Sequence, residues 1–221
     1  MKFRKDSIPH ALRDIYNLLY KTYGARHWWP ADNAFEITVG AILTQNTNWS
    51  NVEKAIFNLK KDKVLIPFRL YGIDLKRLAK LLRPCGYYNI KAARLKSFVA
   101  YIFSKYGGNF SKMLRRPITA LRRELLAIKG IGPETADSII LYAAKKPVFV
   151  IDAYTRRIMA CQGVAEPDSN YEDIQSTFMN NLPKSTKLFN EYHALLVEHA
   201  KKVCKTTPAC HECILHSLKR T

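Results

Sequence analysis

The fold of this chain is decided by residues 125–137, which read LLAIKGIGPETAD, and by residues 148–152, which read VFVID. An apolar helix ends at Leu126, and Pro133 suits the first turn of the next helix. The glycines between them permit positive φ and a tight turn. Such a turn exposes backbone N–H groups at the positive end of a helix dipole, where an anion such as a phosphate binds. The predicted anion-binding hairpin comprises Lys129, Gly130, Ile131 and Gly132.

Hydrophobic periodicity predicts helices along nearly the whole chain. Asn33 and Glu36 predict a capping box that opens a buried helix through Leu43. Asn89 is predicted to cap a helix that ends at Gly107-Gly108. Further helices are predicted at apolar positions 52–59, 75–82 and 118–125, and near 153–162, 171–181 and 186–202. No segment predicts a strand, so the expected fold class is all-α.

The composition is strongly basic. The chain has 36 Lys and Arg against 18 Asp and Glu, a formal charge of +18. Such a protein concentrates polyanions at its surface and binds them in a salt-dependent manner, although charge alone does not separate DNA from RNA or an anionic membrane. Residues 1–6 lack an apolar signal core, and no apolar run approaches the roughly 18 residues of a spanning helix. We therefore expect a cytoplasmic protein with no membrane partner.

Three further segments accompany the hairpin and Asp152: 33–36 (NAFE), 43–47 (LTQNT) and 86–92 (GYYNIKA). In order and spacing they resemble the helix-hairpin-helix DNA glycosylases of base-excision repair, over nearly the whole chain. The resemblance implies a two-lobed fold with a ligand cleft between the lobes. It places an inserted helical barrel at 33–147 and joins 1–32 with 148–221 as the second lobe. We expect a chromosome-associated monomer that binds double-stranded DNA containing a damaged base.

The resemblance assigns the catalytic carboxylate to Asp152. Cleaving an N-glycosidic bond builds positive charge on the sugar, so a nearby ionised carboxylate lowers the barrier and can orient or deprotonate the attacking water. The alternative interpretation of Asp152 is a plain N-cap for the helix that starts at Ala153. In the family, the position that matches Glu134 is a Schiff-base lysine only in bifunctional members. Glutamate at that position therefore favours a monofunctional enzyme.

All three tryptophans lie in the first quarter of the chain, as Trp28-Trp29-Pro30 and Trp49. A base flipped out of the duplex is stacked by rings, and a cationic alkylated base gains a cation–π attraction from indole. With Glu134, these residues look most like the 3-methyladenine DNA glycosylases of the endonuclease III-like branch. That likeness implies that Trp28 or Trp29 stacks on the base and that Trp49 closes the pocket. The alternative is that the tryptophans fill a core.

Two residues match family positions that act on the distorted duplex. The resemblance implies that Gln45 fills the gap left by the flipped base and that Tyr87 wedges between the bases opposite. The alternatives are a polar residue at a helix C-terminus and an ordinary surface turn.

Three cysteines, Cys204, Cys210 and Cys213, have the spacing C-x5-C-x2-C. Relatives commonly hold a [4Fe–4S] cluster here with a fourth cysteine, but this chain has Lys219 where that ligand would fall. His211 or His216 would complete a Cys3His set, which equally suits zinc. A cluster, zinc and no metal all remain open, and the role would be structural.

The sequence thus favours a monofunctional DNA N-glycosylase that excises alkylated bases, foremost 3-methyladenine, and leaves an abasic site. One alternative is a bifunctional endonuclease III-type glycosylase and lyase that acts on oxidised pyrimidines, with Lys129, Lys145 or Lys146 as the amine. The other is a non-catalytic helix-hairpin-helix module that binds DNA, against which Asp152 and the tryptophans argue.

Overall fold

The computed structural model describes residues 7–26, 28–204 and 210–220, without the side chains of Cys210, Lys219 and Arg220. No strand occurs in these ranges, which confirms the predicted all-α class. None of the described helices is long and apolar enough to cross a membrane. In chain order the α-helices are α1 (Ile8–Tyr23), α2 (Ala34–Leu43), α3 (Trp49–Lys61), α4 (Pro67–Gly72), α5 (Leu75–Leu81), α6 (Tyr88–Tyr106), α7 (Phe110–Leu114), α8 (Ile118–Leu126), α9 (Pro133–Ser138), α10 (Ala153–Cys161), α11 (Tyr171–Asn181) and α12 (Thr186–Lys202).

Short helical turns complete the description. A π-helical turn, Ile139–Ala143, continues α9, and 3₁₀ turns occupy Arg83–Cys85, Cys210–Glu212 and Ile214–Arg220. The chain divides into two compact units. The central unit consists of Trp29–Lys146, and the terminal unit consists of the described residues before and after it. The resemblance placed the inserted lobe at 33–147, whereas the compact unit begins at Trp29 and ends at Lys146.

The core of the central unit forms around α2 and α6. Val39, Ile42 and Leu43 of α2 are fully buried, and α6 packs against α2, α4, α5 and α7. The side chain of Asn33 caps α2 by accepting from the N–H groups of residues 35 and 36, each at 3.0 Å. The Glu36 carboxylate accepts from the Asp32 N–H at 3.2 Å, so the predicted capping box closes one residue earlier than expected.

The helix α6 begins differently from the prediction. Asn89 lies inside α6, and Tyr87 is the N-cap residue with φ +44°. Gly86, at φ +64°, permits the reversal before it. The ammonium of Lys91, only 1% exposed, donates to the carbonyl of Cys85 at 2.6 Å. A backbone turn and a buried lysine therefore set this helix start, without a capping side chain.

The terminal unit is built on an aromatic core. The rings of Phe149 and Phe178 stack with centroids 3.8 Å apart, and α12 packs against α1 and α10. Residues 148–151 are buried but belong to neither a helix nor a strand. Two of their backbone groups bond to α11: Gln175 Nε2 donates to the Phe149 carbonyl at 2.7 Å, and the Ile151 N–H donates to the Tyr171 hydroxyl at 3.3 Å. This buried segment places Asp152 at the start of α10.

Candidate functional site

The predicted hairpin lies between α8 and α9 and is held by its own backbone. Gly130 has φ +91°, but Gly132 has φ −95° and ψ −179°, which is extended backbone. Both glycines permit positive φ, and only Gly130 adopts it. The Ile131 side chain is buried, and its N–H donates to the Ile128 carbonyl at 3.0 Å. Ile131 thus closes the turn, while Lys129 is exposed beside it.

A buried ion pair braces the two helices of the hairpin. Arg122 of α8 donates through Nε and Nη2 to the two carboxylate oxygens of Asp137 of α9, at 2.8 and 3.1 Å. The side chain of Asp137 is fully buried, so its charge depends on a bidentate partner. Neither residue belongs to a predicted functional site.

The two residues that match duplex-distorting positions lie in the central unit. Gln45 follows the end of α2, and its Nε2 donates to the Gly130 carbonyl at 3.1 Å and to the Thr135 hydroxyl at 2.8 Å. Tyr87 has a left-handed backbone and a side chain that is 67% exposed. The structure thus bonds Gln45 to the hairpin and projects Tyr87 from the start of α6.

Three of the predicted base-pocket residues surround one cavity of the central unit. Trp29, Pro30 and Trp49 line this cavity of about 250 Å³, together with Glu36, Glu53, Ile56, Phe57 and Lys60. The Trp29 and Trp49 rings meet edge to face with centroids 5.0 Å apart, and Trp49 Nε1 donates to the Glu53 carboxylate at 2.7 Å. A Cβ on buried Gly40 would lie 3.3 Å from Trp29 Cζ2. The absence of a side chain at position 40 therefore leaves space for the two indole rings.

Trp28 and Trp29 are neighbours in sequence but belong to different units. The Trp29 ring also packs against Tyr142, with centroids 5.1 Å apart. Trp28 belongs to the terminal unit, where the ammonium of Lys201 lies 5.5 Å from its ring centroid. Packing within the central unit therefore accounts for Trp29, whereas the face of Trp28 is in contact with a cation.

Asp152 is the N-cap residue of α10. Its Oδ1 accepts from the Thr155 N–H at 2.7 Å, and its Oδ2 lies 3.6 Å from Nε2 of His193 on α12. Burial raises the pKa of the Asp152 carboxyl, but His193 and the Thr155 N–H outweigh it and hold the pKa below its usual range. The carboxylate therefore stays ionised at neutral pH while its side chain is only 14% exposed.

Asp152 thus serves as a helix cap and is also a nearly buried negative charge. An ionised carboxylate in that setting can stabilise positive charge that develops on a bound group. The sequence did not predict His193, which lies far along the chain from Asp152. Glu134, the other residue of the predicted pocket, is exposed in the first turn of α9.

The cysteine region gives no ligand set among the described side chains. Cys204 and Cys213 are buried, and Cys213 Sγ lies 3.4 Å from Nε2 of His199, which is not one of the predicted ligands. The side chain of Cys210 lies outside the described residues. The predicted fourth ligands, His211 and His216, are both exposed. Within the described ranges no three His, Cys, Asp or Glu side chains converge on a metal position.

Comparison with known protein families identifies the family to which the hairpin and the Asp152 carboxylate belong. The model of the HhH-GPD superfamily base excision DNA repair proteins matches residues 39–184, which span both the hairpin and Asp152. The chain belongs to the HhH-GPD superfamily. This HhH-GPD protein is accordingly a DNA glycosylase of base excision repair, as the sequence resemblance predicted.

Individual relatives support the same placement. The HhH-GPD protein is 46% identical to a candidate DNA repair glycosylase of Methanocaldococcus jannaschii, over 90% of this chain and 91% of the relative. It is 30% identical to endonuclease III of Sulfolobus acidocaldarius, over 83% of this chain and 80% of that one.

Solved structures share its fold. The H. pylori 3-methyladenine DNA glycosylase bound to 1,N6-ethenoadenine has a TM-score of 0.75 and 28% identity, covering 88% of this chain and 97% of that one. A non-covalent endonuclease III–DNA complex has a TM-score of 0.80, covering 98% of this chain and 95% of that one. Its 23% identity makes it evidence for the fold alone.

Proposed function

We propose that this HhH-GPD protein is a monofunctional DNA N-glycosylase that flips an alkylated base, foremost 3-methyladenine, out of double-stranded DNA and hydrolyses its N-glycosidic bond. It acts as a monomer and leaves an abasic site. The observation that carries the proposal is the ionised, nearly buried Asp152 carboxylate, with glutamate rather than lysine at position 134.

The role of Asp152 follows from the charge of the transition state. As the bond to the base breaks, positive charge grows on the sugar, and a carboxylate near it stabilises that charge. Asp152 also accepts or orients a proton of the attacking water. A base that is already cationic departs as a neutral molecule and needs no proton from the protein. One carboxylate without a partner acid is therefore sufficient for alkylated purines.

The preference for alkylated bases rests on the tryptophans. The face of Trp28 lies under the Lys201 ammonium, which is the interaction that a cationic base would make with the same ring. Lys201 is exposed, so it moves into solvent at little cost when a base takes its place. Trp49, which is partly exposed, lines the cavity of the central unit together with Trp29. The described cysteines make no ligand set, and no step is assigned to a metal.

Borohydride trapping tests the monofunctional chemistry. If no amine attacks the sugar, borohydride traps no covalent protein–DNA adduct, and strand breaks appear only after treatment with alkali. An endonuclease III-type lyase, assayed in parallel, provides the positive control. Efficient trapping of this protein would replace the proposal with the bifunctional alternative, with Lys129, Lys145 or Lys146 as the candidate amine.

The substitution Trp28→Leu tests the stacking ring. It keeps apolar bulk and removes the π face, so we expect a loss of about 0.5–2 kcal/mol in recognition of a cationic methylated purine. Release of a neutral base such as hypoxanthine should fall less, and Trp28→Phe should cost less than Trp28→Leu. Single-turnover release of each base measures the effect.

Trp29→Leu is the matched control for this experiment. Trp29 packs on Gly40, Trp49 and Tyr142, so its loss should lower the melting temperature and reduce release of every lesion alike. If Trp28→Leu behaves in the same way, Trp28 is a packing residue and the preference for alkylated bases loses its physical basis.

A further inference from the structure

The side chain of Gln45 is hydrogen-bonded both to the hairpin and to Arg94, a residue to which neither the motifs nor the family match assigns a role. Arg94, on α6, donates through Nη1 to Gln45 Oε1. The other end of the same amide, Nε2, donates to the Gly130 carbonyl and to the Thr135 hydroxyl. All four residues belong to the central unit. The Gln45 amide therefore links the Arg94 guanidinium of α6 to the hairpin.

The chemistry of these partners fixes the orientation of the Gln45 amide. A guanidinium only donates hydrogen bonds, so the amide atom that faces Arg94 must be the oxygen. The Gly130 carbonyl only accepts, so the atom that faces the hairpin must be the nitrogen. A free glutamine side chain samples several rotamers and either amide orientation. With Arg94 in place, a single orientation satisfies every partner.

The aliphatic stem of the Arg94 side chain also explains why a glycine occupies position 130. A Cβ on Gly130 would lie 2.4 Å from Arg94 Cγ and 2.9 Å from both Cδ and Nε. The methylene chain therefore lies directly on the bare backbone of the hairpin while its guanidinium reaches Gln45. The same helix presents the exposed Tyr87 at its N-terminal end.

We propose that Arg94 is a positioning residue for base extrusion: it holds the Gln45 amide in one orientation against the hairpin, so that Gln45 is preorganised to fill the gap in the duplex. Fixing this side chain before DNA binds removes a conformational entropy cost from the extrusion step. The inference rests on the gap-filling role of Gln45 within the proposed function, and it does not depend on which base is excised.

The test uses a duplex with a tetrahydrofuran abasic analogue opposite 2-aminopurine, whose fluorescence reports gap filling in a stopped-flow experiment. Arg94→Met keeps the stem over Gly130 and removes the donors. It should slow the fluorescence change about tenfold or more, the effect of losing one hydrogen bond to a charged group. Arg94→Lys, which retains a donor and the charge, should recover most of the rate.

Two comparisons separate positioning from a phosphate contact. In a Gln45→Ala background, Arg94→Met should have no further effect, because the residue acts through the amide that is already absent. Binding to undamaged duplex should change no more than in Arg77→Met, which removes a surface cation from α5. A phosphate contact would instead slow extrusion in both backgrounds and lower the salt slope of binding by about 1.

Additive effects of the two substitutions would overturn the proposal, as would an unchanged rate in Arg94→Met. If Arg94→Met fails to fold, Thr135→Val removes one of the Gln45 hydrogen bonds without altering Arg94, and it should slow the same step by a smaller factor. An unchanged rate in that variant would equally overturn the proposal. Because the probe contains no damaged base, a failure of the alkylated-base assignment leaves this measurement unaffected.

Discussion

Replacing Asp152 with asparagine should lower the rate constant of base release at least about tenfold, which corresponds to a loss of 1.4 kcal/mol of transition-state stabilisation. Asparagine is nearly isosteric, and its oxygen can still accept from the Thr155 N–H that Asp152 caps. The fold and the affinity for duplex DNA should therefore be retained while the negative charge is lost. Single-turnover release and equilibrium binding, measured on the same preparation, separate the two effects.

The matched control is Asp74→Asn. Asp74 caps α5 by accepting from the Arg77 N–H at 3.0 Å, so it shares the capping role of Asp152 without a place in the proposed site. Its substitution should leave base release unchanged. If Asp152→Asn also leaves release unchanged, Asp152 is a helix cap and nothing more.

The pH dependence of base release tests the same role of Asp152. Burial raises the pKa of Asp152, but His193 and Thr155 lower it more, so the folded pKa lies below the usual range. The ionised carboxylate is present above that pKa and is lost as pH falls through it. The acid limb of the wild-type profile should accordingly lie below the ordinary aspartate pKa. A limb above that value would assign the titration to another group.

Gly130→Ala should weaken binding to damaged and undamaged duplexes alike, because hairpin contacts to phosphate carry no sequence information. An alanine at φ +91° is strained, at a cost of about 1–2 kcal/mol, and its Cβ would displace the stem of Arg94. The substitution therefore disturbs both the hairpin backbone and the network that holds Gln45. Binding affinity and melting temperature should both fall.

Gly132→Ala provides the comparison within the same hairpin. Gly132 has extended backbone, and nothing lies within 4 Å of a Cβ placed there. Alanine at this position should be tolerated, with melting temperature and duplex binding close to those of the wild type. Equal losses from both substitutions, or a loss at Gly130 confined to lesion-bearing DNA, would contradict the role given to the hairpin.

Local signals in the sequence predicted most of the helices. Asn33 caps α2 and Asp152 caps α10, and the helices that follow agree with the apolar periodicity. The start of α6 was misplaced at Asn89 because no side chain caps it. The positive φ of Tyr87 and the buried Lys91 that set this start depend on the folded surroundings.

Only those residues of the candidate site that belong to sequence motifs could be predicted. The hairpin and Asp152 each lie in a short continuous sequence motif. The partners of Gln45 come instead from α6 and from the hairpin, which are distant from Gln45 in sequence. His193 and Arg94 have no motif of their own. The separate surroundings of Trp28 and Trp29 could not be inferred from two identical adjacent residues, because packing within each unit distinguishes them.

The most direct test of the proposed function is the release of free base from a panel of duplexes that each carry one lesion. The panel contains 3-methyladenine, hypoxanthine, an oxidised pyrimidine and a mismatched thymine, and each reaction is analysed with and without alkali. We expect free 3-methyladenine to be released fastest, with strand cleavage only after alkali. Preferential release of the oxidised pyrimidine with cleavage in the absence of alkali, or no release from any duplex, would contradict the account.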